Sequence, residues 1–294
     1  MTQILQFHET AHPNKRAAKD FDNLIGIDEI KKELVQSLLF MLDRRRTEQW
    51  IKKHGLESGD FLRDLIGIQK LAILSGDVGC GKTMLARSVG TPLCKKLDAK
   101  VLCLESPTNI RGQGMVGELS ARITSLFDQA RSKIGAKGYG ILIIDEADDV
   151  ATSRSQMQAH HEDRAGVNVL ARQIDSLSRD NINIAAILIT NRLAALDPAI
   201  IRRSATTLQF ERPNEEARKT IFCYLREKTN VKLSDAEILT LARITEQDSL
   251  KFTYSDIIKR GLRTALVKSI ENDRPLDFSI LEDTFKKISP TPNL

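Results

Sequence analysis

No stretch of this chain approaches the roughly 18 consecutive apolar residues that a membrane-crossing helix needs, and its opening residues, MTQILQFHETAHPNKRAAKD, lack the apolar core of a secretory signal. The cytoplasm is the expected compartment. The four cysteines (Cys80, Cys94, Cys103, Cys223) have no metal-site spacing, which points to reduced thiols rather than a zinc module or a disulfide framework. Neither sign of charge dominates. The 44 basic and 39 acidic residues leave a net charge of +5, and the basic ones are scattered among acids rather than gathered into a stripe. A solvated mixed surface is the plain reading, and nucleic acid is the disfavoured partner. Internal repeats, low-complexity tracts and disorder-like composition are missing too.

What is present is a regular alternation. Apolar runs occur at LAILS (Leu71 to Ser75), VLCLE (Val101 to Glu105), ILIID (Ile141 to Asp145), IAAILIT (Ile184 to Thr190) and TTLQF (Thr206 to Phe210). Helix-like segments separate most of them, such as TMLARSVGTPLCKKL and ELSARITSLFDQARSKI, where Leu119, Ile123, Leu126 and Phe127 share a face. Strands alternating with helices predict an α/β fold, a five-stranded parallel sheet sandwiched by helices. After FERPNEE only helical patterns remain: one begins at Asn214, SDAE (Ser234 to Glu237) is a capping box for another, and Thr253 with Asp256 caps a third. The expected organisation is a polar tail over residues 1–20, a large α/β domain over 21–211 and a small all-α lid over 212–294.

GDVGCGKT, Gly76 to Thr83, follows the first apolar run and precedes a helix. This is the G-x-x-x-x-G-K-[ST] phosphate loop in its required setting. Backbone N–H groups of Gly76, Asp77, Val78, Gly79, Cys80, Gly81 and Met84 are placed to surround phosphate oxygens. Lys82 would reach the β and γ phosphates, and the Thr83 hydroxyl would ligand Mg²⁺. ATP and Mg²⁺ are therefore the expected ligands. The run ILIIDEADD supplies the acids: a doubly buried strand ends in carboxylates where sheet ligands bind. Asp145 would hold Mg²⁺ through its water shell, and Glu146 would polarise the attacking water. Asp148 and Asp149 read as ordinary solvated acids.

With both motifs placed, the chain resembles an AAA+ ATPase from about Phe21 to about Ile270. The resemblance implies further roles. FDNLIGIDEIKKEL resembles the segment that contacts adenine, with Ile25 and Gly26 at the contact positions. Asn191 of ITNR, the segment that ends the fourth strand, matches the polar sensor that orients water. LDPAIIRRSATTLQF resembles the arginine-finger segment, with Arg202 and Arg203 as candidates and Ala205 at the second finger position. The second sensor arginine of the lid falls at Ser255, with Lys259, Arg260 or Arg263 as alternatives if the register differs. RGQGMVGEL resembles the pore loop, with Met115 and Val116 as the gripping pair, and SRSQMQAHHEDR (Ser153 to Arg164) is a candidate for a second pore loop.

Within AAA+ proteins the chain is similar to the pachytene-checkpoint family, which remodels HORMA-domain proteins, and to its short bacterial members encoded beside HORMA and nucleotide-second-messenger proteins in anti-phage defence. That similarity implies a homo-hexamer that hydrolyses ATP and draws a peptide of a HORMA-type substrate through a central pore, with a nucleotidyltransferase complex in attendance. A nucleic-acid motor or loader is the competing class, disfavoured because no reader domain follows the lid. One further motif competes for attention: HETAH, His8 to His12, matches the zinc-protease signature H-E-x-x-H. With Pro13 next and no protease-sized domain around it, the match reads as coincidence.

Overall fold

Four of the apolar runs become the middle of a six-stranded sheet, and the fifth, Thr206 to Phe210, forms one edge. The computed structural model describes residues 6–56, 69–108, 110, 117–152, 161–180, 182–247 and 250–293. The strands are β1 (His8–His12), β2 (Leu71–Gly76), β3 (Val101–Glu105), β4 (Tyr139–Ile144), β5 (Ile184–Thr190) and β6 (Thr206–Phe210), in the spatial order β1-β3-β4-β5-β2-β6. β3, β4, β5 and β2 pair in parallel. Every residue of β2 and β5 is buried, which is why their sequences are continuously apolar instead of alternating.

Helices flank the sheet: α1 (Lys15–Asp22), α2 (Asp28–Leu42), α3 (Arg44–Lys53), α4 (Lys82–Ser88), α5 (Gly90–Leu97), α6 (Glu118–Ile134), α7 (His161–Arg179) and the short α8 (Pro198–Ile201). The segment from Thr83 to Leu97, expected as one helix, is two. On one face of the sheet, Leu142 and Ile144 of β4 and Ala186 and Leu188 of β5 meet Leu119, Ile123, Leu126 and Phe127 of α6 and Leu170 and Ile174 of α7. Truncating one of these leucines to alanine removes contacts worth about 2–5 kcal/mol.

The polar tail is corrected over its second half. Residues 8–12 pair antiparallel with β3, His8 opposite Glu105 and His12 opposite Val101. α1 follows, its first turn capped by Asn14, whose Oδ1 accepts from the amides of Arg16 at 2.9 Å and Ala17 at 3.0 Å. HETAH is thus a strand. Its histidines stand about 13 Å apart along the chain direction instead of one helical turn. His12 is buried, with Nδ1 2.8 Å from Thr91 Oγ1. Glu9 pairs with Lys133 at 2.7 Å. Nothing in that geometry converges on a metal.

The chain divides into two compact units: Met1–Asp22, Glu29–Ser75 and Thr83–Gln209 in one, Asn23–Asp28, Gly76–Lys82 and Phe210–Leu294 in the other. The second unit is built on α9 (Glu215–Thr229), α10 (Asp235–Ile244), a small hairpin of β7 (Glu246–Gln247) and β8 (Leu250–Lys251), a π-helical turn Asp256–Leu262 running into α11 (Arg263–Glu271), and α12 (Phe278–Lys287). Its core is Ile221, Phe222, Leu241, Phe252, Ile257, Leu281 and Phe285, with the rings of Phe222 and Phe285 edge to face at 5.5 Å. The caps stand where the sequence puts them. Asn214 Oδ1 accepts from Ala217 N at 2.9 Å, and Ser234 and Glu237 form a reciprocal capping box. Thr253 and Asp256 do the same: each side chain accepts from the other's amide at 3.0 Å.

Candidate active site

β2 ends at Gly76 and the chain turns into the phosphate loop. Gly76 has φ +131°, and a Cβ there would stand 1.9 Å from the carbonyl oxygen of Phe210, so no side chain fits. Gly79, at φ +78°, is pressed against Thr253 Oγ1 and Ser255 Cβ, each 2.9 Å from where its Cβ would be. Lys82 is buried, and its ammonium donates to the carbonyls of Gly76 at 2.7 Å and Asp77 at 2.8 Å. The Cys80 thiol, buried in this loop, is pushed up to about 11, so it stays protonated and unreactive near neutral pH. Ile25 packs on the core of the helical unit, and Gly26 accepts from the Tyr254 hydroxyl at 3.4 Å.

Thr83 follows Lys82 directly and opens the other half of the chemistry. Its hydroxyl donates to Asp145 Oδ2 at 2.8 Å, bringing together the two groups expected around Mg²⁺. A hydroxyl and a carboxylate are hard oxygen donors, the set Mg²⁺ accepts when phosphates and waters complete its shell, and the residues fit the ion. Asp145 Oδ1 accepts from the Glu146 amide at 2.9 Å. Glu146 is exposed and holds φ 52° and ψ 46°, the left-handed region that a glutamate rarely occupies. That twist turns the chain at the end of β4 and leaves its carboxylate at the strand's carboxyl edge.

Asn191 lies beyond the neighbouring strand. Ile144 of β4 is opposite Leu188 of β5, so Glu146 and Thr190 are equally advanced, with Asn191 next. Asp148 has a task the sequence did not reveal. Its Oδ1 accepts from the Thr190 hydroxyl at 2.9 Å, and Thr190 Oγ1 accepts from the Arg192 amide at 2.9 Å, so the backbone on both sides of Asn191 is pinned. Arg87 was also missed. It grips the buried Glu105 with Nε at 2.6 Å and with Nη2, a bidentate pair that holds the guanidinium's pKa above its ordinary value.

The two finger candidates differ in setting. Arg202 is exposed, its Nε donating to the Pro198 carbonyl at 3.3 Å. Arg203 is held by Asp175 of α7, with Nε to Oδ1 at 2.8 Å, and by the Ala199 carbonyl at 2.8 Å. A cavity of about 350 Å³ lined by Asn168, Ala171, Arg172, Ala199 and Arg203 adjoins it. Met115 and Val116 lie outside the described residues, as does Ser153–His160 of the second candidate pore loop. Ser255, the position matching the second sensor, donates its amide to the Gly79 carbonyl at 3.0 Å, while Arg260 is occupied by Asp256 at 2.6 Å.

Comparison with known proteins agrees with this chemistry. Residues 72–213 match the AAA family, the ATPases associated with various cellular activities. CD-NTase-associated protein 6 of Escherichia coli strain MS 115-1 is 35% identical over 292 residues, covering 95% of this chain and 91% of that protein. The chain belongs to the AAA ATPases. This AAA ATPase stands in the pachytene-checkpoint branch, as two solved structures show. The chain superposes on one in a structure titled as the E. coli MS115-1 HORMA:CdnC:Trip13 complex with a TM-score of 0.88 and 32% identity, over 98% of this chain and 97% of that one. A Rhizobiales Trip13 structure gives a TM-score of 0.73 at 27% identity, over 98% and 100%. No helix among the described residues of the AAA ATPase is long and apolar enough to cross a membrane.

Proposed function

We propose that this ATPase is a cytoplasmic motor that remodels a HORMA-domain protein, controlling its conformation and its assembly with a nucleotidyltransferase in anti-phage signalling. The observation that carries this is the near end-to-end likeness, at a TM-score of 0.88, to a chain solved with a HORMA protein and CdnC. The substrate of the chemical step is ATP. The amides of Gly76–Gly81 and Met84 cradle the phosphates, Lys82 neutralises the β and γ groups, and Ile25 and Gly26 receive adenine. Thr83 and Asp145 would hold Mg²⁺, which would supply neutralisation of phosphate charge. Glu146 takes the proton of the attacking water, and Asn191, fixed by the Asp148–Thr190 bond, orients that water from the next strand.

Arg203 supplies the finger in the catalytic site of a neighbouring subunit, so hydrolysis belongs to a head-to-tail ring, taken here as a hexamer. Met115 and Val116 grip an extended segment of the substrate in the ring's channel. The decisive experiment combines purified protein with its HORMA partner and follows ATP turnover alongside HORMA conformation. Turnover rises with the HORMA protein, and conversion stops in Glu146→Gln. Turnover stimulated by DNA and indifferent to the HORMA protein would place the motor on nucleic acid instead. Loss of conversion with retained ATPase in Met115→Asp is the expected mark of the pore grip.

A further inference from the structure

The outer flank of the phosphate loop is held by side chains that the nucleotide chemistry does not call for. Arg212, with 7% of its side chain exposed, donates from Nε to Asp77 Oδ2 at 2.7 Å. Its Nη1 donates to the carbonyls of Lys251 at 2.8 Å and Thr291 at 2.7 Å, and its Nη2 to that of Pro292 at 3.1 Å. A planar guanidinium held by four hydrogen bonds is a rigid strut. Two residues along the loop, Gly79 is gripped by Thr253 and Ser255. Asp256, 1% exposed, organises that turn by accepting from the Thr253 amide at 3.0 Å. The same carboxylate accepts the Thr291 amide at 3.1 Å and the Thr291 hydroxyl at 2.7 Å. Thr291 therefore joins both grips.

We propose that Arg212 and Asp256 are positioning residues for ATP binding, locked by the segment Pro290–Pro292 so that Asp77 and Gly79 hold the phosphate loop in its binding shape. The inference rests on ATP occupying this loop. Two effects follow from the contacts. A loop fixed at Asp77 and Gly79 presents its amides without an ordering cost at binding. In addition, Asp77 places a carboxylate in a loop that must receive a polyanion, and the Arg212 guanidinium offsets its repulsion.

The test measures binding of a fluorescent ATP analogue, with kcat and KM for ATP, in full-length Arg212→Ala, Arg212→Lys and Arg212→Ala/Asp77→Asn and in a chain stopped after Ser289. Arg212→Ala is expected to raise KM and Kd by about tenfold, the weight of one charge-assisted hydrogen bond, with kcat within about twofold. Arg212→Lys falls between, because one ammonium can reach Asp77 but cannot span three carbonyls. Adding Asp77→Asn recovers part of the loss, which a merely structural role for Arg212 would not do. The shortened chain reproduces the rise in KM, and combining it with Arg212→Ala adds less than the two separately. A shortened chain that folds and binds the analogue as tightly as wild type overturns the lock. So does an Arg212→Ala effect confined to kcat. Should Arg212→Ala fail to fold, the shortened chain decides alone. Wild-type protein that binds no ATP analogue refutes the nucleotide reading instead.

Discussion

Glu146 is a glutamate in a backbone conformation better suited to glycine, and the cost of about 1–2 kcal/mol has no counterpart in packing, since the side chain is exposed. Strain of that kind persists where position serves chemistry. Glu146→Gln keeps the shape and removes the proposed base, so ATP binding should be retained while turnover falls by about 10²–10⁴-fold, as separate binding and single-turnover assays would show. Equal loss of binding would refute the assigned role. Asp148 carries a subtler prediction. Asp148→Ala releases Thr190 and with it Asn191, so kcat drops by about tenfold with KM for ATP little changed. At this scale the positions of Gly76–Thr83 between strand and helix and of the Asp145–Glu146 pair closing β4 were legible, because a local pattern specifies them, while their chemical roles belong to the proposal. Asp148 was not, since its partner lies 42 residues further on. The Arg212–Asp77 pair, spanning 135 residues, was hidden for the same reason.

At the scale of elements, the largely buried strands β2 through β5 announce themselves through unbroken apolar runs, and β6, an edge strand whose exposed and buried residues alternate, also forms where expected. β1 escaped because HETAH is a polar edge strand with one buried residue, His12, at its end. Burying a strand on one edge of a sheet requires little apolar content. The helical unit was read from its caps, and the Thr253–Asp256 box yields a pH prediction. Burial by itself raises the Asp256 pKa, yet the bonds from Thr291, Thr253 and Arg260 outweigh it and hold the carboxyl at about 2. A carboxyl depressed on folding contributes stability that is complete above its unfolded value, about 3.9, and is lost as pH falls through about 2. Thermal melts of Asp256→Asn should therefore differ most from wild type at neutral pH and converge with it between about pH 4 and 2. A constant gap across that window would contradict the assignment.

For the whole molecule, the proposed ring makes each catalytic site a joint property of two subunits. Arg203→Ala and Glu146→Gln should each be nearly inactive alone. Mixed in equal amounts they should regain activity, because about a quarter of random interfaces pair an intact Glu146 with a neighbour's intact Arg203. Activity of the mixture no greater than the sum of its parts would mean that Arg203 acts within its own subunit or not at all. The Arg203–Asp175 pair must open for the guanidinium to reach across. A neighbour's nucleotide therefore competes with a carboxylate of the same chain.

The first strand has a practical corollary for handling this protein. β1 occupies the hydrogen-bonding row of β3 along all five residues of both strands. A protease nick or a gene trimmed to begin at Pro13 would bare that row, and bared rows recruit one another. Samples shortened in this way should turn cloudy on warming before they lose helix signal, whereas a fusion placed ahead of His8 leaves the seam closed and the solution clear.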